Sequence, residues 1–118
     1  MDQIEITGIR CYGYTGFLAA ERELGQWFEV DITLWLDLAP CALSDNITDT
    51  LDYRQAIAKV KTIVKAAKYQ LLEKLATEIA TALLNFNQIQ QVRVKLTKPA
   101  APIPDFEGQI TIDITRTN

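Results

Sequence analysis

The residues of this chain that could carry out chemistry are carboxylates, lysines, tyrosines and two cysteines, because the sequence contains no histidine. This composition excludes Ser-His-Asp and Cys-His nucleophilic sites and every metal site with a histidine ligand. The two cysteines, Cys11 and Cys41, lack the spacing of metal ligands. Since the chain shows no secretory leader, we expect both to be reduced thiols and the protein to be cytoplasmic.

Lys98 is the first candidate for a catalytic base. It directly precedes Pro99, and a residue before proline favours an extended backbone, so its position at a strand end is well defined. A lysine that is partly removed from water can act as a base near neutral pH. Spacing alone favours the simpler interpretation, a solvated lysine at the end of a strand.

Three further residues have both a chemical and a simpler interpretation. Glu73 lies in the first turn of a predicted helix, where the helix dipole stabilises a carboxylate and where the side chain could also accept two parallel N–H donors. Tyr53 opens another predicted helix in phase with its apolar stripe, so we expect a core residue, although its hydroxyl could relay a proton. Glu21 belongs to the charged run Glu21-Arg22-Glu23, which is typical of a solvated surface.

Hydrophobic periodicity predicts four strands and two helices in the order ββααββ. Residue parity changes at Gly8, which indicates a β-bulge in the first strand. The segments Gly13–Gly25 and Pro40–Asp52 are predicted to be loops. Asp52 and Gln55 resemble a capping box at the start of the helix that begins at Tyr53. The predicted strands cover Gln3–Tyr12, Phe28–Leu38, Val92–Thr97 and Ile110–Thr115, and the helices begin at Tyr53 and run from about Leu71 to Asn85.

This order indicates an α+β fold with a four-stranded antiparallel sheet and two helices on its apolar face, in one domain spanning residues 1–118. Acidic residues on the second strand (Glu29, Asp31) and basic residues on the third (Arg93, Lys95) predict cross-strand ion pairs. Such a sheet leaves two open edges, and closing several sheets into a barrel would remove them, so we expect a ring-shaped oligomer.

Composition also limits the partners. The net charge of −3 argues against a nucleic-acid partner, whose phosphates would repel the chain. No uncharged apolar run approaches the ~20 residues that a membrane span needs, so we expect no membrane partner.

No single motif is specific, but the set is. The chain resembles the dihydroneopterin aldolases of folate biosynthesis over essentially its whole length. The motifs that carry the resemblance are Gly13-Tyr14-Thr15-Gly16, Glu21 to Gln26, Asp49 to Tyr53, Leu71 to Ala76, Lys98-Pro99 and Pro102-Ile103-Pro104.

The resemblance implies the tunnelling fold, in which four ββααββ subunits close a barrel and two rings stack into an octamer. It implies that Glu73 and the backbone of Leu72 bind the pterin and that Glu21 contacts the trihydroxypropyl chain. It also implies that Lys98 is the base and that Tyr53, from a neighbouring subunit, completes the pocket and the proton path. Thr15 and Asp52 depart from the family pattern, in which many members have histidine at the first position and a neutral or imidazole side chain is expected at the second.

The implied reaction is the retro-aldol cleavage of 7,8-dihydroneopterin, whose own imine can accept the electrons. We therefore expect no metal, no cofactor and no lysine Schiff base. Two alternatives stay open: a C2′ epimerase of dihydroneopterin or its triphosphate, and a non-catalytic α+β binding module that would use the lysines of the first helix (Lys61, Lys65, Lys68).

Overall fold

The computed structural model describes all residues from Met1 to Asn118 and has four strands, four α-helices and one 3₁₀ turn. The four strands form one antiparallel sheet in the order β1-β2-β3-β4. None of the helices is long and apolar enough to cross a membrane. In chain order the elements are β1 (Asp2–Gly13), α1 (Ala19–Leu24), β2 (Gln26–Leu36), α2 (Ala39–Ser44), the 3₁₀ turn (Ile47–Asp49), α3 (Tyr53–Ala66), α4 (Leu72–Leu84), β3 (Gln91–Lys98) and β4 (Ile110–Thr117).

The predicted order of long elements, ββααββ, is confirmed, and so is the bulge in β1. The β1–β2 register shifts between Ile6 and Ile9, and Gly8 has a φ of 75°, a backbone conformation that glycine adopts without a steric penalty. The Gly8 N–H donates to the Asp31 carboxylate at 2.7 Å, which satisfies a backbone donor that the bulge removes from the ladder.

The core lies between one face of the sheet and the two long helices. Alternate residues of β2, from Phe28 to Leu36, are buried, as the strict alternation of the sequence predicts. Helix α3 packs beside β1, and α4 packs on β3 and β4. Gly13 permits the close approach of α3, because a Cβ atom there would lie 2.7 Å from the Val64 carbonyl oxygen.

Two short helices stand where we expected only loops. Each has six residues, which is too short to show a hydrophobic period, so the patterns of the sequence did not reveal them. Local chemistry forms them instead: Glu21 accepts the Leu18 N–H at the start of α1, and Pro40 stands in the first turn of α2. Because α2 begins at Ala39, β2 ends at Leu36 and not at Leu38.

The expected ion pairs between β2 and β3 are absent. Asp31 lies opposite Lys95 in the register, but its carboxylate accepts the Gly8 N–H and forms no ion pair. Arg93 pairs instead with Asp113 of β4, at 2.6 Å. The acidic partner of β3 therefore comes from its other neighbour in the sheet.

Candidate functional site

Buried polar residues are concentrated at one end of the sheet. Three polar or charged residues of the chain are buried, namely Thr15, Glu21 and Thr97. All three lie where β1 ends, β2 begins and β3 ends. Burying polar groups costs free energy unless each finds a partner, so their clustering marks this end of the sheet as the candidate functional site.

Lys98 and Glu21 form the centre of this site. The Lys98 Nζ donates to Glu21 Oε2 at 2.5 Å, and the two side chains are only 11% and 8% exposed. The expectation of a solvated surface at Glu21 and the simpler interpretation of Lys98 as a solvated lysine were therefore wrong. The reason is α1, which brings Glu21 against Gly16, where any Cβ atom would collide with the Glu21 side chain.

The Glu21 carboxylate accepts two further hydrogen bonds. The Gln26 amide donates to Oε2 at 2.8 Å, and the Leu18 N–H donates to Oε1 at 3.1 Å. Burial alone would raise the pKa of Glu21, but the hydrogen bonds from Lys98, Gln26 and Leu18 and the positive charge of Lys98 outweigh it and lower the pKa. Glu21 is therefore ionised at neutral pH and holds the Lys98 Nζ in place.

The first turn of α4 lies at the same end of the molecule. Since a short connection joins the end of α4 to β3, the two run antiparallel and the start of α4 lies toward Lys98. The Leu72 side chain is buried, whereas Glu73 is exposed and its carboxylate has no hydrogen-bond or ion-pair partner within the chain. The structure thus brings Lys98, Glu21, Leu72 and Glu73 to one end and leaves the Glu73 carboxylate free to bind a ligand.

Tyr53 lies at the opposite end. It is the first residue of α3, a helix of 14 residues, which places it about 16 Å along the helix axis from Val64, the residue that packs at Gly13. Its side chain is 52% exposed, so the expectation of a core residue was wrong. Asp52 is the N-cap of α3, because its side chain accepts the Arg54 N–H at 3.0 Å, but the Gln55 side chain does not complete the predicted capping box.

A cavity of about 430 Å³ lies at this opposite end. Its lining comes from the segment 47–55, which includes Asp52 and Gln55, and from the segment 85–88 that follows α4. Among the lining residues, the Thr50 hydroxyl is buried and has no hydrogen-bond partner. Within one chain, therefore, Tyr53 cannot reach Lys98, and the polar groups around Tyr53 are not fully paired.

Sequence reasoning gave no role to two residues that support the site. Gln26 donates to Glu21, and Thr15 is fully buried and bonded to the segment before α4. Both belong to the motifs that carry the family resemblance, so the motifs themselves were the signal. The burial of Thr15 and the hydrogen bond from Gln26 to Glu21 could not be read from the sequence, because neither residue lies in a segment with apolar periodicity.

The other candidate residues, the lysines of α3 and the connection after it and the two cysteines, form no binding or catalytic site within the chain. Lys61, Lys65 and Lys68 are exposed and form no ion pair within the chain, as on a solvated surface. Cys11 and Cys41 are free cysteines, and burial raises the pKa of the Cys11 thiol despite the opposing charge of Lys61. No three His, Cys, Asp or Glu side chains lie close enough together to hold a metal ion.

Comparison with known proteins identifies close relatives of the whole chain. Residues 4–115 match the sequence model of the dihydroneopterin aldolase (FolB) family. The chain is 51% identical to the "Probable dihydroneopterin aldolase" of Synechocystis sp., over 99% of both chains. It is 39% identical to the dihydroneopterin aldolase of Bacillus subtilis, over 98% of both chains.

Solved structures agree with the sequence relatives. The fold superposes on Escherichia coli dihydroneopterin aldolase in complex with neopterin with a TM-score of 0.90, at 29% identity and over 98% of this chain and 99% of that one. A uricase from Bacillus fastidious shares the fold alone, with a TM-score of 0.67 at 11% identity; the match covers all of this chain and 43% of the uricase.

Proposed function

Because the chain belongs to the dihydroneopterin aldolase family, we propose that it catalyses the retro-aldol cleavage of 7,8-dihydroneopterin in tetrahydrofolate biosynthesis. The products are 6-hydroxymethyl-7,8-dihydropterin and glycolaldehyde, so the enzyme is an aldehyde-lyase. The observation that carries this proposal is the buried Lys98–Glu21 pair, 2.5 Å apart, at the end of the sheet where the first turn of α4 also lies.

Lys98 acts as the base. The Lys98 amine, once its ammonium has released a proton to solvent, takes the proton of the 2′-hydroxyl, the C1′–C2′ bond breaks, and C2′ leaves as the aldehyde carbon of glycolaldehyde. The ammonium that forms on Lys98 is stabilised by the Glu21 carboxylate, which already accepts a hydrogen bond from that nitrogen. Glu21 thereby places its charge where positive charge develops during the reaction.

The substrate itself accepts the electrons. The pair released from the C1′–C2′ bond moves into C1′–C6 and onto N5, through the N5=C6 imine of the dihydropterin ring. Protonation at C1′ then restores the imine and gives the hydroxymethyl product. In this scheme Lys98 forms no Schiff base, and neither a metal ion nor a cofactor takes part.

Glu73 and Leu72 anchor the pterin ring. The 2-amino group and the N3–H of a pterin present two parallel donors, which a carboxylate accepts in a bidentate arrangement. The Glu73 carboxylate is exposed and unpaired within the chain, and the dipole of α4 stabilises its negative charge. The backbone of Leu72 lies beside it, at the start of the same helix.

Tyr53 completes the pocket from a neighbouring subunit and supports the proton path to C1′. Two observations support an assembly: Tyr53 is half exposed at the end of the chain remote from Lys98, and β1 and β4 are open edges of the sheet. We propose that the edges close a tetrameric ring and that two rings stack into an octamer. One domain, residues 1–118, makes up each subunit, and the reduced thiols suit the cytoplasm.

The test is a product assay with purified protein, 7,8-dihydroneopterin and EDTA, followed by chromatographic separation of the pterins. We expect 6-hydroxymethyl-7,8-dihydropterin and glycolaldehyde in equal amounts, and the Lys98→Ala variant, purified in the same way, serves as the control for contaminating activity. If wild-type protein forms no more product than this control, the aldolase proposal is wrong. A C2′ epimer in the same chromatogram would show that re-addition competes with release.

A further inference from the structure

Thr15 joins two parts of the site that lie on different segments of the chain. Its hydroxyl oxygen accepts the N–H of Tyr69 at 3.3 Å, and the neighbouring Gly16 N–H donates to the Tyr69 carbonyl at 2.9 Å. Tyr69 lies three residues before α4, and the Lys74 ammonium in the first turn of α4 lies 5.7 Å from the centre of the Tyr69 ring. Thr15 and Gly16 thus fix the segment from which Leu72 and Glu73 emerge.

The same short segment also supports the acid–base pair. The Thr15 carbonyl accepts the Gln26 amide at 3.3 Å, and that amide also donates to Glu21. Arg22 donates to the carbonyl oxygens of Gly16 and Phe17 at 2.8 and 2.7 Å, which fixes α1 against the segment. Thr15 is therefore linked by hydrogen bonds to Glu21, through Gln26, and to the start of α4, through Tyr69.

The Thr15 side chain is fully buried, so the bond to Tyr69 cannot be replaced by water without a local rearrangement. If the hydroxyl is removed, the Tyr69 N–H loses an acceptor, and the segment before α4 shifts to find another. Such a shift changes the separation between Glu73 and Lys98, and a displacement of ~1 Å at a reacting centre can cost a large part of the rate.

We propose that Thr15 is a positioning residue that sets the separation between the Lys98–Glu21 pair and the pterin anchor at Leu72 and Glu73. This inference rests on the proposed aldolase function. Thr15 itself touches no reacting atom; it acts through Tyr69 toward the anchor and through Gln26 toward the base.

The experiment compares Thr15→Val, which removes the hydroxyl and keeps the shape, with Thr15→Ser, which keeps the hydroxyl. We expect Thr15→Val to raise the KM for 7,8-dihydroneopterin and the Kd for 6-hydroxymethyl-7,8-dihydropterin by about 10-fold, with a fall in kcat of similar size. Thr15→Ser restores both constants to within about 2-fold of wild type. Thr15→Ala, measured in parallel, replaces Thr15→Val if that variant does not fold.

Thr111→Val is the control, because it removes a threonine hydroxyl from β4 that has no part in the proposed site. The Thr111 hydroxyl is hydrogen-bonded to that of Thr97 at 2.8 Å and forms no hydrogen bond with the segment before α4. We expect Thr111→Val to leave the KM and the Kd within about 2-fold of wild type.

A double-mutant cycle with Glu73→Ala separates positioning from a general effect on folding. If Thr15 positions the anchor, Thr15→Val weakens pterin binding less in the Glu73→Ala background, because the carboxylate it positions is already gone. Equal effects in both backgrounds overturn the inference, and so does a Thr15→Val protein that is less stable but keeps wild-type KM, Kd and kcat well below its melting temperature. Both results leave the aldolase proposal standing, since that proposal depends on product formation by the wild-type protein.

Discussion

The two ends of the sheet differ in how completely their polar groups are paired. At the Lys98 end, the buried Glu21 carboxylate accepts hydrogen bonds from Lys98, Gln26 and the Leu18 backbone. At the Tyr53 end, the tyrosine is half exposed, the buried Thr50 hydroxyl has no partner, and a cavity of about 430 Å³ lies alongside. The first end holds a buried lysine paired with a carboxylate, and the second has a buried hydroxyl with no partner within the chain.

This contrast supports the proposed active site, in which Tyr53 of one subunit completes the pocket at Lys98 of another. A ring of identical subunits can place the Tyr53 end of one subunit against the Lys98 end of the next, because a heterologous interface joins two different surfaces of the same molecule. The following experiments test whether the two ends have these separate roles.

Lys98→Ala has the largest expected effect. The substitution removes the base that acts in the transition state, so kcat should fall by about 10²–10⁴-fold while the Kd for the pterin product changes little. Steady-state rates and equilibrium binding of 6-hydroxymethyl-7,8-dihydropterin measure the two quantities. Lys95→Ala is the control: it lies on the same strand, forms no ion pair, and should leave kcat within about 2-fold of wild type. Near-normal turnover of Lys98→Ala would shift the role of base to Tyr53 or a bound water.

Mixing two variants, each expected to have little activity when refolded alone, tests whether the two ends cooperate across subunits. Lys98→Ala and Tyr53→Ala subunits, unfolded together and refolded in equal amounts, form some interfaces that join an intact Lys98 end to an intact Tyr53 end. In a randomly mixed ring each end is intact with a probability of one half, so we expect about one quarter of wild-type activity. Each variant refolded alone serves as the control. A mixture no more active than the two separate variants would show that the site is not shared in this way.

Glu73→Ala should affect binding more than turnover. The Glu73 carboxylate makes a charge-assisted contact in the ground state as well as in the transition state, so its loss should weaken pterin binding by about 1.5–3 kcal/mol. Glu78→Ala, in the same helix and paired with Lys74 at 2.9 Å, is the matched control and should change the Kd by less than about 2-fold. Equal Kd values for the two variants would remove Glu73 from the pterin anchor.

The same contrast shows what could be predicted from the sequence. The alternation from Phe28 to Leu36 and the parity change at Gly8 reflect local backbone geometry, and both were confirmed. The burial of Glu21 and the exposure of Tyr53 were predicted wrongly, because each depends on packing between distant segments. Glu21 lies on a helix of six residues, which is too short for a period, and its partner Lys98 is 77 residues away. Only the family motifs pointed to these residues.

The smallest expected effect concerns the pH dependence of stability at the Lys98 end. The pKa of Glu21 is lower in the folded than in the unfolded chain, so its hydrogen bonds stabilise the fold fully above the ordinary glutamate pKa of about 4.3. This stabilisation is lost as the pH falls below that value, through the lowered pKa of the folded state.

Glu21→Gln tests this effect because the glutamine side chain does not titrate. Between pH 7 and pH 3 the free energy of unfolding should fall less in the variant than in wild type, and the two decreases should differ by on the order of 1 kcal/mol. Asp52 and Asp113, whose pKa values are also lowered, titrate in both proteins and cancel in the difference. Urea unfolding at several pH values measures this difference, and the same pH dependence in wild type and Glu21→Gln would show that folding does not lower the pKa of Glu21.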